Sequence, residues 1–178
     1  MIKKASNYAI AVFCMVAVVS CSSVSVQDYA GNRPQLVAED FFNGRLSAHG
    51  IVKNRGGRVI RYFTASIDAY WVGGVGTLDE RVVFDDGEQQ TRIWKLKPEG
   101  AGKYSATAGD VVGSGTMEVA GNSVFLDYVL RIPYADGTID VKIDDRMYLV
   151  SDRVLLNESI MTKWSFEVGQ ISLVIIRE

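Results

Sequence analysis

Apolar and polar residues alternate along most of the chain with the two-residue period of strands that bury one face. About ten such runs follow one another between Leu46 and Arg177, separated by short turns rich in Gly, Asn and Asp. Turns of this kind join antiparallel neighbours. The pattern therefore predicts an all-β domain built as an antiparallel up-and-down meander, with one short helical turn near residues 38–43.

The length of this meander bears on its closure. A sheet of about ten strands in one domain curls, splits or closes, and closure removes its exposed edges. A closed barrel of this size encloses side chains or one small ligand. We therefore predict a calycin- or lipocalin-like barrel. The last run, residues 165–178, becomes apolar on both faces near its end, as expected for a strand that is covered on both sides.

The start of the chain has a different pattern. Lys3 and Lys4 precede an unbroken apolar run over residues 8–19. A positive start followed by a short apolar run is typical of a secretory signal, and the run is too short to span a bilayer as a helix. The next residues, Val18-Val19-Ser20-Cys21, resemble a bacterial lipobox. We therefore predict a signal peptide over residues 1–20 that is removed before Cys21.

The same cleavage decides the role of the two cysteines. Cys14 would be removed with the signal, so it cannot form a disulfide with Cys21 in the mature protein. Cys21 would carry a diacylglyceryl group and usually a third acyl chain such as palmitate, and two or more chains give stable attachment to a membrane. Ser22, rather than aspartate, follows the cysteine. By resemblance to proteobacterial lipoproteins, this implies an outer-membrane lipoprotein that faces the periplasm.

Composition supports one domain. The predicted parts are a signal peptide over 1–20, a lipidated N-terminus and tether over 21–38, and a single barrel domain over 39–178. That domain is long enough to bury a core without disulfides. The formal net charge of −2 becomes more negative when Lys3 and Lys4 are lost. Because no basic stripe with interleaved aromatics is present, we expect no nucleic-acid partner.

Few residues suggest catalysis. His49 is the only histidine, so any Ser-His-Asp triad would need it, and the chain lacks the G-x-S-x-G motif of a nucleophile elbow. Asp144 and Asp145 are neighbours in a strand and point to opposite faces, so they cannot chelate a cation together. We predict no catalytic residues, no metal site and no cofactor, and we expect a protein that is not an enzyme.

The most informative stretch is the hairpin over residues 76–96. A three-residue loop over 85–87 would place Glu80 opposite Arg92 and Leu78 opposite Trp94, whereas a two-residue loop would shift the register by one. Glu80 and Arg92 would then form a charge pair among large apolar residues inside the barrel. They could grip the head group of an amphipathic ligand, or they could form a buried salt bridge that only holds the fold, which is the simpler interpretation.

Asp145 extends this candidate site, because it falls on the apolar face of the run over residues 139–149. Arg131, Arg153 and Asn157 are further polar residues among strand apolars with the same two interpretations. We predict a ligand-binding set of Glu80, Arg92, Trp94 and Asp145. Tyrosines and tryptophans are numerous, which is consistent either with the wall of a ligand pocket or with a filled core.

Several short motifs carry a resemblance to a family of bacterial lipoproteins of unknown function. They cover most of residues 41–178 in order and include Phe42-Asn43-Gly44, Gly76-x-Leu78-x-Glu80, Asp86-Gly87 followed by Arg92-x-Trp94, Asp144-Asp145-x-Met147-Tyr148-Leu149 and Asn157-x-x-x-Met161-x-Lys163. Where this chain has Arg146, the family tends to carry tryptophan. Genes of the family are often found near enzymes that modify membrane fatty acids, such as cyclopropane-fatty-acid synthase, which implies a lipid context.

These observations lead to three functional hypotheses. The first is an outer-membrane-anchored barrel that binds a lipid, such as a fatty acid or phospholipid, or another apolar molecule. The second is an envelope adaptor whose barrel is fully packed; an internal cavity of several hundred Å³ would favour the first. The third and weakest is an enzyme acting on lipids, for which Glu80 and Asp145 are the only carboxylates to test.

Overall fold

The structure is a computed structural model that describes residues 23–178. The predicted signal peptide, Cys14 and the predicted lipidation site Cys21 lie outside the described residues. Within the described part of the chain, no helix is long and apolar enough to cross a membrane.

Ten antiparallel strands close into one barrel, in which each strand pairs with the next and the last pairs with the first. This confirms the predicted meander and its closure. The strands are β1 (Gly44–Asn54), β2 (Val59–Val72), β3 (Val75–Phe84), β4 (Gln89–Gly100), β5 (Lys103–Thr107), β6 (Gly115–Ala120), β7 (Ser123–Tyr134), β8 (Gly137–Ser151), β9 (Val154–Lys163) and β10 (Phe166–Arg177).

A short helix, α1 (Ala38–Phe41), covers one end of the barrel. Phe41 and the following Phe42 are buried, and the indole N–H of Trp71 donates to the carbonyl oxygen of Phe42 at 2.9 Å. Leu46, an inward residue of β1 at this end, is only 1% exposed. We call this the closed end, and its apolar contacts make it the dense part of the core.

The opposite end, which carries the β1–β2, β3–β4, β7–β8 and β9–β10 turns, is less tightly covered. Inward-facing apolar side chains there remain partly exposed, although they alternate with outward-facing residues as core positions do; they are Phe63, Val82, Ile132, Met161 and Ile171. We call this the open end. An apolar interior that stays accessible to solvent at one end is the arrangement of a barrel with a mouth.

The wall of the barrel is irregular between β4 and β7. Because β5 and β6 are short, β4 pairs with β5 only from Lys95 onwards, and the segment over residues 108–114 covers part of the remaining gap. The backbone N–H of Val112 donates to Val129 O at 2.9 Å, and that of Arg131 donates to Asp110 O at 2.8 Å. These two bonds place Asp110 at the edge of β7.

The described part of the predicted tether, residues 23–37, packs against the barrel instead of extending away from it. Val26 is only 2% exposed, and the Leu36 N–H donates to Gly121 O at 2.7 Å. Tyr29 packs against Tyr148 with ring centroids 5.3 Å apart. Apolar burial at these points is enough to hold a chain that has no regular period in its sequence.

Arg146 helps to hold this segment. Its guanidinium donates to Val24 O at 3.2 Å, pairs with Asp144 at 3.0 Å and lies 4.5 Å from the ring centroid of Phe125. A cation over an aromatic ring and a shared carboxylate give it a structural role on the outer face of β8.

Candidate functional site

The predicted hairpin register is present. Phe84 N–H donates to Glu88 O at 2.9 Å across the three-residue loop, and β3 and β4 then pair Glu80 with Arg92. The same register pairs Leu78 with Trp94. All four side chains point into the barrel. In each strand the intervening residue, Asp79 in β3 and Ile93 in β4, points outwards, because side chains alternate between the two faces.

The carboxylate that binds Arg92 is Asp110, and this corrects the expected Glu80–Arg92 ion pair. Arg92 Nε donates to Asp110 Oδ2 at 3.0 Å and Nη2 donates to the same oxygen at 2.7 Å, with Oδ1 at 3.1 Å from Nε. Such a fork-to-carboxylate contact is among the stronger side-chain pairings. Among the described residues, Glu80 has no ion pair within salt-bridge distance.

Asp145 is the most buried acid of the barrel, at 8% exposure. It lies on β8 between Leu126 of β7 and Ser159 of β9, and its Oδ1 has no hydrogen-bond partner in the described part of the chain. Burial raises the pKa of Asp145 to about 6, while the nearby polar groups of Ser159, Asn157 and Tyr128 favour the ionised form. A buried, unpartnered carboxylate oxygen is rare and costly in a folded protein.

Glu80 is partly buried below the open end. Burial raises the pKa of its carboxyl to about 7; Arg92 lowers that pKa, and the negative charges of Asp145 and Asp110 raise it further. Glu80 and Asp145 both point into the barrel interior, Glu80 from β3 and Asp145 from β8.

Two aromatic side chains complete the site. The rings of Trp94 and Tyr128 meet edge to face at 88°, with centroids 5.1 Å apart, and the guanidinium of Arg92 lies 5.8 Å from the centroid of Trp94. Burial and the neighbouring Asp145 raise the pKa of Tyr128 well above its ordinary value, so its hydroxyl stays protonated. We refer to Glu80, Arg92, Asp110, Tyr128 and Asp145 as the polar cluster.

The charges of the polar cluster do not balance. Three carboxylates share it with one guanidinium, and that guanidinium is already bound by Asp110. Arg61, the nearest arginine towards the open end on β2, pairs with Asp86 and Glu88 in the β3–β4 turn. Over residues 23–178, no group of three or more histidine, cysteine or acidic side chains is arranged to hold a metal ion.

Some of the residues that the sequence singled out lie elsewhere. Arg131 faces outwards and pairs with Asp140 at 2.7 Å, and the exposed Arg153 donates to Arg177 O at 2.8 Å. His49 is exposed on the outer face of β1. Asn157, in contrast, faces inwards and accepts a hydrogen bond from Ser159 at 3.0 Å beside Asp145.

A trough of about 550 Å³ crosses β2, β1, β10 and β9. It lies on the outer wall, since the side chains that border it point outwards; they are Ile51, Tyr62, Leu156, Ser172 and Val174. On the inner side of the same wall, a Cβ on Gly50 would lie 2.7 Å from the Cβ of Leu173 and against the ring of Phe63. The ring of Phe63 therefore lies over Gly50 on the inner face of the wall.

These features define a closed ten-stranded, lipocalin-like barrel with a buried polar cluster below one accessible end. The chain belongs to the family described as "Protein of unknown function (DUF3833)", whose model matches residues 15–177. Among solved structures, it is similar to the S-type phycobiliprotein lyase CPES from Guillardia theta, with a TM-score of 0.58 and 11% identity over 87% of this chain and 98% of that chain. This likeness concerns the fold. The search of curated proteins gives no match.

Proposed function

We propose that this protein is an outer-membrane lipoprotein, anchored through Cys21, whose barrel binds a lipid or another apolar small molecule without catalysis. One observation carries the proposal. Apolar inward side chains stay partly exposed at the open end, directly above a buried cluster of polar groups. An apolar wall with a few convergent polar groups is typical of small-molecule sites, and lipocalin-like barrels enclose one ligand.

One further observation and one prediction support this binding role. The polar cluster contains carboxyl groups whose pKa values burial raises, and perturbed acids gather at functional sites more often than elsewhere. The predicted anchor on Cys21 would hold the barrel beside a membrane, where apolar ligands are concentrated. A carrier or sensor of such a ligand would need no catalytic triad. His49, the residue that a Ser-His-Asp triad would require, is exposed on the outer face of β1.

Native mass spectrometry of the barrel domain purified from the periplasm of a bacterial host tests the proposal. We expect one lipid or other apolar molecule per protein, which extraction and fragmentation would then identify. Trp94→Ala should lower the bound fraction, whereas Trp164→Ala, at an exposed turn residue of the same type, should not. A mass equal to that of the polypeptide alone, unchanged after incubation with extracted lipids, would contradict binding.

A second candidate function is an envelope adaptor with a packed barrel. It is favoured by the apolar trough on the outer wall, where Tyr62 is 57% and Leu156 is 44% exposed. Large apolar side chains exposed together commonly mark an interface. In this case Tyr62→Glu would abolish function in cells while leaving any bound small molecule in place, and Trp94→Ala would act only through stability.

A further inference from the structure

The unbalanced charge of the polar cluster constrains the ligand. We propose that the barrel takes an amphiphile whose polar end is an ammonium group, and that Glu80 and Asp145 bind this group. The inference rests on the proposed binding function and names the chemical class of the ligand. It also makes a fatty-acid carboxylate a poor ligand for this site.

The geometry of Arg92 is the first step. A fatty-acid carboxylate needs a cation, and Arg92 is the only guanidinium among the cluster residues. Asp110 Oδ2 already accepts hydrogen bonds from the Nε and Nη2 atoms of this guanidinium, at 3.0 and 2.7 Å. The backbone bonds of residues 108–114 hold Asp110 against β7, so the positive charge of Arg92 is already balanced by a carboxylate that is fixed in place.

The two remaining acids are the second step. Asp145 is more than nine-tenths buried, and its Oδ1 lacks a hydrogen-bond donor within residues 23–178. Glu80 points into the same interior from β3 and has no ion pair among the described residues. The strands beside these two acids, β4 and β7, meet inside the barrel through the rings of Trp94 and Tyr128, whose centroids are 5.1 Å apart. A buried charge is stable only when it is paired and hydrogen-bonded. An ammonium group supplies both a positive charge and up to three N–H donors.

The surroundings decide between a soluble amine and an amphiphile. Above the cluster, the inner wall at the open end consists of partly exposed apolar side chains such as Phe63, Val82 and Ile171. A small hydrophilic amine would leave these side chains in water. An alkyl chain attached to the ammonium group would cover them and gain about 0.8 kcal/mol for each buried CH₂.

Isothermal titration at pH 8 of the protein purified from its bacterial host tests this inference with four probes. n-Octylamine carries the charge and the tail, octanol and octanoate keep the tail and replace the amine, and methylamine lacks the tail. We expect octylamine to bind about tenfold or more tightly than octanol, and octanoate and methylamine to bind more weakly still.

Replacing each acid by its neutral amide tests which carboxylates bind the ammonium group. Asp145→Asn and Glu80→Gln should each weaken octylamine binding about tenfold while leaving octanol binding within about twofold. Asp152→Asn and Glu99→Gln, which remove exposed acids in turns or strand ends of the outer surface, serve as matched controls and should bind octylamine as the unaltered protein does.

The outcomes separate the inference from the function on which it rests. Octanoate binding at least as tightly as octylamine, or equal binding of octylamine, octanol and octanoate, would overturn the ammonium ligand and leave apolar binding in place. Methylamine binding as tightly as octylamine would overturn the amphiphile. If none of the four probes binds, the proposed binding function itself is wrong.

Discussion

At the scale of single residues, the acids inside the barrel differ in how they are neutralised. Asp110 is held by the guanidinium of Arg92, whereas Glu80 and Asp145 have no such partner in the described residues. Burial without a counter-ion disfavours the charged form, so the pKa values of Glu80 and Asp145 rise. The polar cluster thus contains one satisfied pair and two acids that titrate near neutral pH.

The two unpartnered acids predict that stability depends on pH. Their pKa values of about 7 and about 6 lie above the ordinary values of about 4, so between pH 5 and 8 the folded protein holds more protons than the unfolded chain. The free energy of unfolding should therefore fall as pH rises from 5 to 8, by on the order of 1–3 kcal/mol for each carboxyl. Urea unfolding at pH 5, 6, 7 and 8 measures this slope.

Variants of the polar cluster test whether its acids cause this dependence of the free energy of unfolding on pH. Asp145→Asn removes one titrating group and should make the slope shallower, and Glu80→Gln should do the same. Asp152→Asn, at an exposed turn residue between β8 and β9, should keep the slope of the unaltered protein. Equal stability of the unaltered protein at pH 5 and pH 8 would contradict the raised pKa values of these buried acids.

The Arg92–Asp110 contact predicts a different effect. Asp110→Asn leaves the guanidinium of Arg92 without its carboxylate in a half-buried position, and we expect a loss of on the order of 1–2 kcal/mol of stability after allowance for solvent screening. Asp79→Asn breaks a contact at 3.2 Å with Arg81, whose side chain is 52% exposed compared with 24% for Arg92, and it should therefore cost clearly less than Asp110→Asn. Denaturant unfolding at pH 8 compares them, and equal costs would show that Asp110 contributes no more than a surface pair.

At the scale of elements, regular strands were predictable and irregular connections were not. The hairpin of β3 and β4 was placed correctly because alternation and a three-residue loop leave one register that buries Leu78 and Trp94 together. The inward position of Asp145 was predicted because a period of two puts it on the apolar face. The contact of Asp110 with Arg92 was not predicted, since residues 108–114 have no period and their position follows from the shortness of β5 and β6.

The segment before α1 is the other element that the sequence did not resolve. Its buried residues, Val26 and Leu36, are too far apart for any helical or strand period, so the segment was predicted to be a tether. In the structure, Arg146 and the ring of Tyr148 provide contacts from β8 that hold it. Such contacts come from parts of the chain more than one hundred residues away, which local pattern cannot show.

Packing of this segment predicts a measurable stability contribution. Val26→Ala removes two methyl groups from a site that is 2% exposed and should cost about 1–2 kcal/mol. Val24→Ala makes the same chemical change two residues earlier, where the side chain is 50% exposed, and should cost less than about 0.5 kcal/mol. Thermal unfolding of the two variants distinguishes a packed segment from a tether, for which both changes would be neutral.

At the scale of the whole molecule, the proposed function depends on both the barrel and its predicted anchor. The barrel has a dense end below α1 and an accessible end that leads to the polar cluster. If Cys21 carries lipid, only a few residues separate the membrane from Val26, where the chain is already packed on the outer face of the barrel. The domain would then sit close to the membrane surface rather than on a long flexible spacer.

The anchor predicts where the protein is found in the cell. Cys21→Ala should abolish labelling by radioactive palmitate and move the protein out of the outer-membrane fraction, into the soluble or inner-membrane fraction, because signal cleavage and lipidation both need that cysteine. Cys14→Ala changes the other cysteine, within the apolar run of the signal, and should leave labelling and fractionation unchanged. Palmitate labelling that persists in Cys21→Ala would refute the lipobox. Normal labelling with an inner-membrane location would keep the anchor and overturn only the sorting implied by Ser22.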